Sequence, residues 1–501
     1  MAAGAVSQFV ESEENSKCGG RIRMEWKPDK DEGAPIYMQI AKELERQIVL
    51  GVLPPGTSLP PERVLARRFG VNRGTVSAAY EELRAKGILQ SWQGSGTWVS
   101  RDLWGVKQMP NWYTYTNGGA FLPAYPLAKR IQDACFDSSI INLAKAELAT
   151  TMIPSFIPTV PGEENEIKLE LGYAHPKGEP RLREALAVHL HENYGIHASP
   201  DEILVTSGAQ QALHLITLCL LNPGDAIAME GPSYSYSLPL FSSAGLRLFR
   251  LPMDEDGIVP EAVYALHREH RIRMVFANPT YHNPSGTILS EARRAQLLDI
   301  CQELRLPLVE DDAYGALTLA GSPKPPKPIK AIDKTGAVLY VGSLSKTIAP
   351  GLRIGWLVGP RSVVERLADA KQQMDFGTSS VSQQFARQFV ERESWNNQQE
   401  RMSRYLLAQQ QTMVRAMHNH LSDYAVWNEP GGSYHIWCRL LAPRDEKELL
   451  DDAIREGVVF TPGSVYGAEA GWLRLTYSWE CPANIEEGIR RIQRVLQRKK
   501  R

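Results

Sequence analysis

From Ile36 the apolar positions fall on one helical stripe: Ile36, Ile40, Leu44 and Ile48 recur within IYMQIAKELERQIVLG, and Gly51 closes the run. After the LPPG break, PERVLARRFG predicts a short second helix ended by Gly70. Asn72 stands where it can cap a third, NRGTVSAAYEELRAKG, which Gly87 ends. ILQSWQGSGTWVS then predicts two strands about a Gly-Ser-Gly turn. Three helices and a hairpin between residues 33 and 101 are the plan of a winged helix. Residues 102–164 are rich in Pro, Gly and aromatics and predict a linker leading into a large domain, with one helix around LAKRIQDACF. Over residues 165–501 the pattern changes again. EILVTS, AIAMEG, MVFANP, PLVEDD, AVLYVGS and GWLVGP predict buried strands alternating with helices, the mark of an α/β domain with a mostly parallel central sheet. From Phe376 the chain is mostly helical until YHIWCRL, GVVFTPGSVY and GWLRLTYSW. No internal repeat is present, and GSPKPPKPIK reads as a solvated loop.

A chain of 501 residues has room for two to four such units. With 43% hydrophobic and 23% charged residues it can bury a sizeable core. The net charge of -1 does not advertise a nucleic-acid partner, so any basic face must be local. Residues 33–101 supply one, with nine Lys or Arg against five Glu. On the third helix Val76, Tyr80 and Leu83 share the apolar face, which turns Arg73, Thr75 and Ser77 outward at the end that enters a major groove. Arg73 at the helix start, with a Gly-flanked wing, favours double-stranded DNA over a protein–protein module. Residues 1–32 predict a disordered acidic tail, because Glu11, Glu13 and Glu14 stand where a signal peptide would be apolar. The six cysteines form no CxxC pair, which fits neither a disulfide scaffold nor a metal site and suits a reducing cytoplasm. The longest apolar stretch, ALHLITLCLL, is too short to cross a membrane.

The candidate chemistry lies in the large domain. In AVLYVGSLSKTIAPGLRIGW a strand runs into a Ser-rich loop that holds Lys346, and Arg353 follows. One such lysine carries little information. A lysine that binds pyridoxal 5'-phosphate needs an acid for the pyridine nitrogen, donors to the phenolic oxygen, a stacking ring and a phosphate cradle. VTSGAQQALHLI offers Ser207, Gly208, Ala209 and Gln210 at a helix start, where a dianion is favoured. VEDDAYG offers Asp311, preferred to Asp312 because it stands three residues before Tyr314. NPTYHNPSG offers Asn283, and EGPSYSY offers the flat ring of Tyr234. Arg474 in WLRLTYSW sits on a strand that should be buried; it forms either an internal ion pair or a bidentate clamp for a carboxylate, and the clamp is favoured. His175, His282 and His435 are not assigned catalytic roles.

The first module resembles the winged helix of GntR-type bacterial regulators. That resemblance implies that Arg63, Arg73 and Thr75 touch DNA and that Gly96 shapes the wing tip. Those domains usually carry Ser or Thr before the Glu-Arg pair, where this chain has Pro60 and Pro61. The large domain resembles the fold-type-I aminotransferases. The resemblance implies that Lys346 forms the internal aldimine and Asp311 pairs with the pyridine nitrogen. Asn283 and Tyr314 would face the phenolic oxygen, and Ser207, Ser343 and Arg353 the phosphate. Tyr173 would reach the phosphate of a neighbouring subunit. The whole architecture resembles the MocR/GabR regulators, which implies a head-to-tail homodimer in which a small amino-group effector replaces Lys346 as the imine partner. The rival expectation is an aminotransferase of an α-amino acid with an appended DNA-binding domain. A third reading, a large domain kept only as a dimer scaffold, would predict a degenerate pocket.

Overall fold

The computed structural model describes residues 26–29, 34–49, 52–53, 55–92, 96–100, 125–154, 172–391 and 394–498. The chain divides between Ala120 and Phe121 into two units.

In the first unit, α1 (Ile36–Val49), α2 (Glu62–Phe69) and α3 (Arg73–Ala85) precede a hairpin of β1 (Leu89–Trp92) and β2 (Gly96–Val99). The helical stripe explains the packing, since Ile40, Leu44 and Ile48 meet Leu65, Phe69, Val76, Tyr80 and Leu83 in one core. Gly70 ends α2 in the left-handed conformation, while Pro61 and Asn72 stand at the two N-caps without a side-chain capping bond. Gly51 and the tip of the wing at residues 93–95 lie outside the described residues. Residues 26–29, expected within the acidic tail, pack on this core. Trp26 packs edge-on against Phe69 with ring centroids 5.6 Å apart, and the Gln39 side chain bonds both the amide and the carbonyl of Asp29. An indole covering the rim of a small core is worth more buried than solvated.

The second unit begins earlier than the sequence suggests. Residues 125–154, expected to belong to a linker, pack within it. After α4 (Pro126–Cys135), β3 (Ile141–Asn142) pairs in parallel with Val458–Val459, and Leu143, Leu148 and Met152 are buried in a core shared with the C-terminal helices. The helix expected around LAKRIQDACF is α4. The missed signal was the short apolar run INLAKAEL, which is hidden among turn-forming residues.

The central sheet contains β4 (Ile203–Thr206), β5 (Ala226–Glu230), β6 (Arg247–Leu251), β7 (Met274–Ala277), β8 (Leu308–Asp311), β9 (Val338–Ser343) and β10 (Gly355–Val358). Their spatial order is β4-β10-β9-β8-β7-β5-β6, and β10 alone runs against its neighbours. All six strands expected from the sequence are present. β6 was not expected, because RLFRL alternates exposed arginines with apolar residues as an edge strand does. Both faces are covered: Ile227, Met229, Phe276, Val309 and Leu339 enter one core, and Ala228, Val275, Leu308 and Val338 another. A second, antiparallel sheet holds β11 (Ala425–Trp427), β12 (His435–Leu440), β13 (Thr461–Pro462) and β14 (Trp472–Thr476), in the order β11-β12-β14-β13. No helix of the described residues is long and apolar enough to cross a membrane.

The approach of β10 to the turn after β4 ties fold to site. A Cβ on Gly355 would stand 2.7 Å from the Gly208 carbonyl carbon and 2.8 Å from the Ala209 nitrogen, both backbone atoms. Gly355→Ala should therefore cost about 1–3 kcal/mol, as overpacking does, and lower the thermal midpoint of the large unit in calorimetry. An unchanged midpoint would mean that the 207–209 turn is free to move.

Candidate functional sites

The C-terminal ends of the parallel strands open on a cavity of about 380 Å³. Doubly wound sheets bind ligands at this edge because successive strand ends deliver side chains there from a rigid frame. Asp311 ends β8 and Ser343 ends β9, Lys346 follows three residues later, Arg353 precedes β10 and Asn278 follows β7. β14 supplies Arg474, and residues 145–147 and Tyr466 complete the lining.

The Lys346 ammonium donates to the Ala146 carbonyl at 2.7 Å. Burial, and after it the Arg474 charge, hold the amine down to about 8, so a neutral nucleophile is available near neutral pH. Asp311 lines the cavity, while Asp312 accepts from the Tyr340 hydroxyl at 2.9 Å and does not. One carboxylate oxygen of Asp311 is buried with no hydrogen-bond partner; burial first, and Asp312 second, push this carboxyl up to about 7. Asn283 donates its amide N–H to the Tyr314 hydroxyl at 3.3 Å and accepts from Arg474 Nη1 at 3.0 Å. Arg474 Nη2 donates to the Ala144 carbonyl at 2.8 Å, and its buried Nε has no partner. Among the described residues no carboxylate pairs with Arg474, so the expected alternative of an internal ion pair is not what the structure contains.

An anion cradle forms beside the lysine. Gly208, at φ 90°, caps α5 (Ala209–Leu220), whose first residues Ala209 and Gln210 line the cavity. Ser207 and Gly208 are outside the lining; the Ser207 carbonyl instead accepts from Arg353 Nη2 at 3.2 Å. Arg353 also reaches the Ser345 hydroxyl at 3.4 Å, and the Ser343 hydroxyl accepts the Ser345 amide at 3.1 Å. Tyr234 lines the mouth and is 40% exposed. Tyr173 is 92% exposed and outside the cavity, its ring 5.8 Å from that of Phe376. Burial drives His282 down to about 3 and His435 well below its usual range, so both rings stay neutral.

The amine, the unpartnered buried carboxylate oxygen, the Asn283–Tyr314 pair and the anion cradle fit pyridoxal 5'-phosphate, whose pyridine nitrogen, phenolic oxygen and phosphate ask for those donors. Sequence reasoning missed Lys145, Glu147, Asn278 and Tyr466. Asn278 opens the same motif as Asn283; its side chain donates to the Asp311 carbonyl and accepts the Asn283 amide. Lys145 and Glu147 sit in the stretch read as a linker, where no periodicity marks them.

In the smaller unit Arg63, Arg73 and Gly96 are exposed and Thr75 is half-buried. Arg73 is not free, since its Nε lies 3.1 Å from Glu62 at the start of α2. That exposed pair orients the guanidinium and is cheap to open toward a phosphate or a base. Gly96 begins β2 at φ 94°, a conformation that suits a wing turn and few other residues.

Residues 138–492 match the family "Aminotransferase class I and II", and residues 36–99 match "Bacterial regulatory proteins, gntR family". The chain is 38% identical over 460 residues to the uncharacterized HTH-type transcriptional regulator YdfD of Bacillus subtilis, covering 91% of this chain and 95% of that protein. It is 33% identical to aromatic-amino-acid aminotransferase 1 of Thermococcus litoralis, over 72% of this chain and 88% of that protein. The crystal structure of Pyrococcus horikoshii kynurenine aminotransferase superposes with a TM-score of 0.70 at 31% identity, covering 75% of this chain and 95% of that chain. The large unit thus has the fold-type-I aminotransferase fold.

The Asp311 carboxyl generates a pH prediction. Its folded value near 7 lies above an unfolded value of about 3.9, so its contribution to stability is full below the unfolded value and is lost as pH rises through about 7. Asn at this position stays neutral throughout. In the cofactor-free chain, Asp311→Asn should therefore gain about 1–2 kcal/mol relative to the parent between pH 4 and pH 8, the full shift being discounted because the residue is only half-buried. Urea unfolding of both proteins at each pH measures it, and a pH-independent difference would remove Asp311 from the buried, unpaired state.

Proposed function

We propose, from the premise that this chain belongs to the MocR/GabR-type regulators, a GntR reader joined to an aminotransferase class I and II domain, that it is a transcriptional regulator controlled by an amino-group ligand bound in the cavity of the large unit. One observation carries the ligand half of this reading: Arg474 is a buried guanidinium with no carboxylate partner among the described residues, in the same cavity as the Lys346 amine. A buried charge left without a counter-ion is costly, and an incoming carboxylate offsets that cost.

Pyridoxal 5'-phosphate, when bound, supplies a carbonyl carbon that bonds reversibly to primary amines and a ring that draws electrons from them. The residues divide the work of holding it. Lys346 supplies the resident amine. Asp311 would hold a proton on the pyridine nitrogen, Asn283 and Tyr314 would donate to the phenolic oxygen, and Tyr234 would lie along the ring. Arg353, Ser343 and the 207–209 turn would face the phosphate. Tyr173, exposed and turned away from its own cavity, supports a role in the cavity of a second subunit, and so a head-to-tail homodimer. Lys346 would hold the cofactor until an amino-group ligand takes its place, and Arg474 would hold the carboxylate of that ligand. A change in large-unit closure would then alter the spacing of two DNA readers, which is coupling through differential contacts in two states. Work on DNA makes the cytoplasm the proposed compartment.

A second reading, an aminotransferase with an appended reader, is favoured by the undegraded donor set and by the similarity to a relative named as an aminotransferase. Incubation of the purified protein with the common amino acids separates the two. The regulatory reading expects a persistent spectral change and little keto acid, and rapid multiple-turnover keto acid release would replace it with the enzymatic one.

Two substitutions test the halves. Lys346→Ala should abolish the borohydride-reducible attachment of pyridoxal 5'-phosphate; a retained reducible link would move the attachment to another amine. Arg73→Ala should weaken binding to the cognate site by about 1–3 kcal/mol if Arg73 reads a base edge, with cofactor content unchanged. Equal loss on random DNA at fixed salt would make Arg73 a phosphate contact instead.

A further inference from the structure

Two cations of the cavity, Lys346 and Arg474, are held by one short piece of backbone. The Ala146 carbonyl accepts from Lys346 and the Ala144 carbonyl from Arg474, at 2.7 Å and 2.8 Å. This piece is built in from both sides. Asn142 Oδ1 accepts the amides of Ala144 and Lys145 at 3.1 Å and 2.9 Å, and the Ser478 hydroxyl donates to the Glu147 carbonyl at 2.6 Å. The Lys145 ammonium lies 3.5 Å over the Trp479 ring.

A bidentate clamp needs two adjacent parallel donors of the guanidinium fork. Nη1 of Arg474 is engaged by Asn283 and Nη2 by Ala144, while Nε, which shares an edge with Nη2, has no partner. A carboxylate that pairs with this edge competes with the Ala144 carbonyl for Nη2. We propose that residues 144–147 form a specificity strap, a backbone stand-in that yields the Arg474 edge only to ligands bearing a carboxylate. A ligand without a carboxylate leaves the Arg474–Ala144 bond closed, whereas one with a carboxylate breaks this charge-assisted hydrogen bond and replaces it, so only the latter opens the strap. The proposal rests on the reading of Arg474 as a carboxylate clamp. It adds that the clamp is already occupied from within and that Asn142, which touches no ligand, is the positioning residue that sets the strap's strength.

The test uses the full-length, cofactor-free chain and two stable probes, N-(5'-phosphopyridoxyl)-L-alanine and its carboxylate-free counterpart N-(5'-phosphopyridoxyl)ethylamine, with binding measured by calorimetry. Asn142→Ala loosens the strap. It should tighten the alanine probe about fivefold, equivalent to ~1 kcal/mol, and leave the ethylamine probe unchanged. Ser478→Ala, which cuts the other tether, should act in the same direction and serves if Asn142→Ala fails to fold. Amide exchange over residues 143–149 of the unsubstituted protein should rise with the alanine probe and not with ethylamine. Unchanged or weaker alanine binding in both variants, or equal tightening of both probes, would overturn the strap. Arg474→Lys separates the two failures. If it leaves the alanine probe unaffected, the clamp itself is wrong; if it weakens that probe while the strap variants do nothing, the strap alone is wrong.

Discussion

Charge without a paired counter-charge, held inside a protein, is the constraint around which the large unit is organised. Lys346, Arg474 and Asp311 line one cavity. Neither cation forms an ion pair among the described residues, and one Asp311 oxygen has no hydrogen-bond partner at all. Desolvation in such a place pushes the amine down and the carboxyl up, toward the neutral forms. A frame that could relax would collapse around these groups or let water in. The seven-stranded sheet, buried on both faces, cannot, and it keeps the groups apart at its C-terminal edge.

That rigidity reaches the site through few contacts. The N-terminus of α5, the Arg353 guanidinium and Gly355 crowd one turn, so the anion cradle is fixed largely by backbone packing. On the other wall the Asn283 side-chain amide joins Tyr314 to Arg474 of β14, and the Tyr314 ring packs edge-on against His435 of β12, so the antiparallel sheet closes one side of the cavity.

The small unit rests on a different balance. Its core is closed by three helices and the hairpin, and Trp26 and Asp29 extend it upstream. The exposed Arg73 is held by its solvent-exposed pair with Glu62, which rearranges at little energetic cost when a polyanion approaches. A small unit with its own core and a cavity with its own frame can be altered separately.

The sequence by itself determined the element types and the donor inventory. A four-residue apolar stripe, Gly70 and Gly87 mark the reader, and six buried runs mark the sheet, because hydrophobic period and glycine placement are local properties of the chain. Lys346, Asp311, Tyr314, Asn283 and Arg353 were legible for a related reason: each stands at or within a few residues of the end of a buried strand, where an apolar run gives way to polar residues. Tertiary structure alone decided the rest. Residues 142–147 show no periodicity, and their place against Arg474 and Lys346 depends on the pairing of Ile141–Asn142 with a strand more than three hundred residues away. The edge strand β6 was hidden by its exposed arginines, and Asp311 separated from Asp312 only when the pleat sent one to the cavity and the other to Tyr340. Patterns within a dozen residues follow from backbone geometry, whereas partners for buried charges are chosen by contacts that only the closed fold brings together.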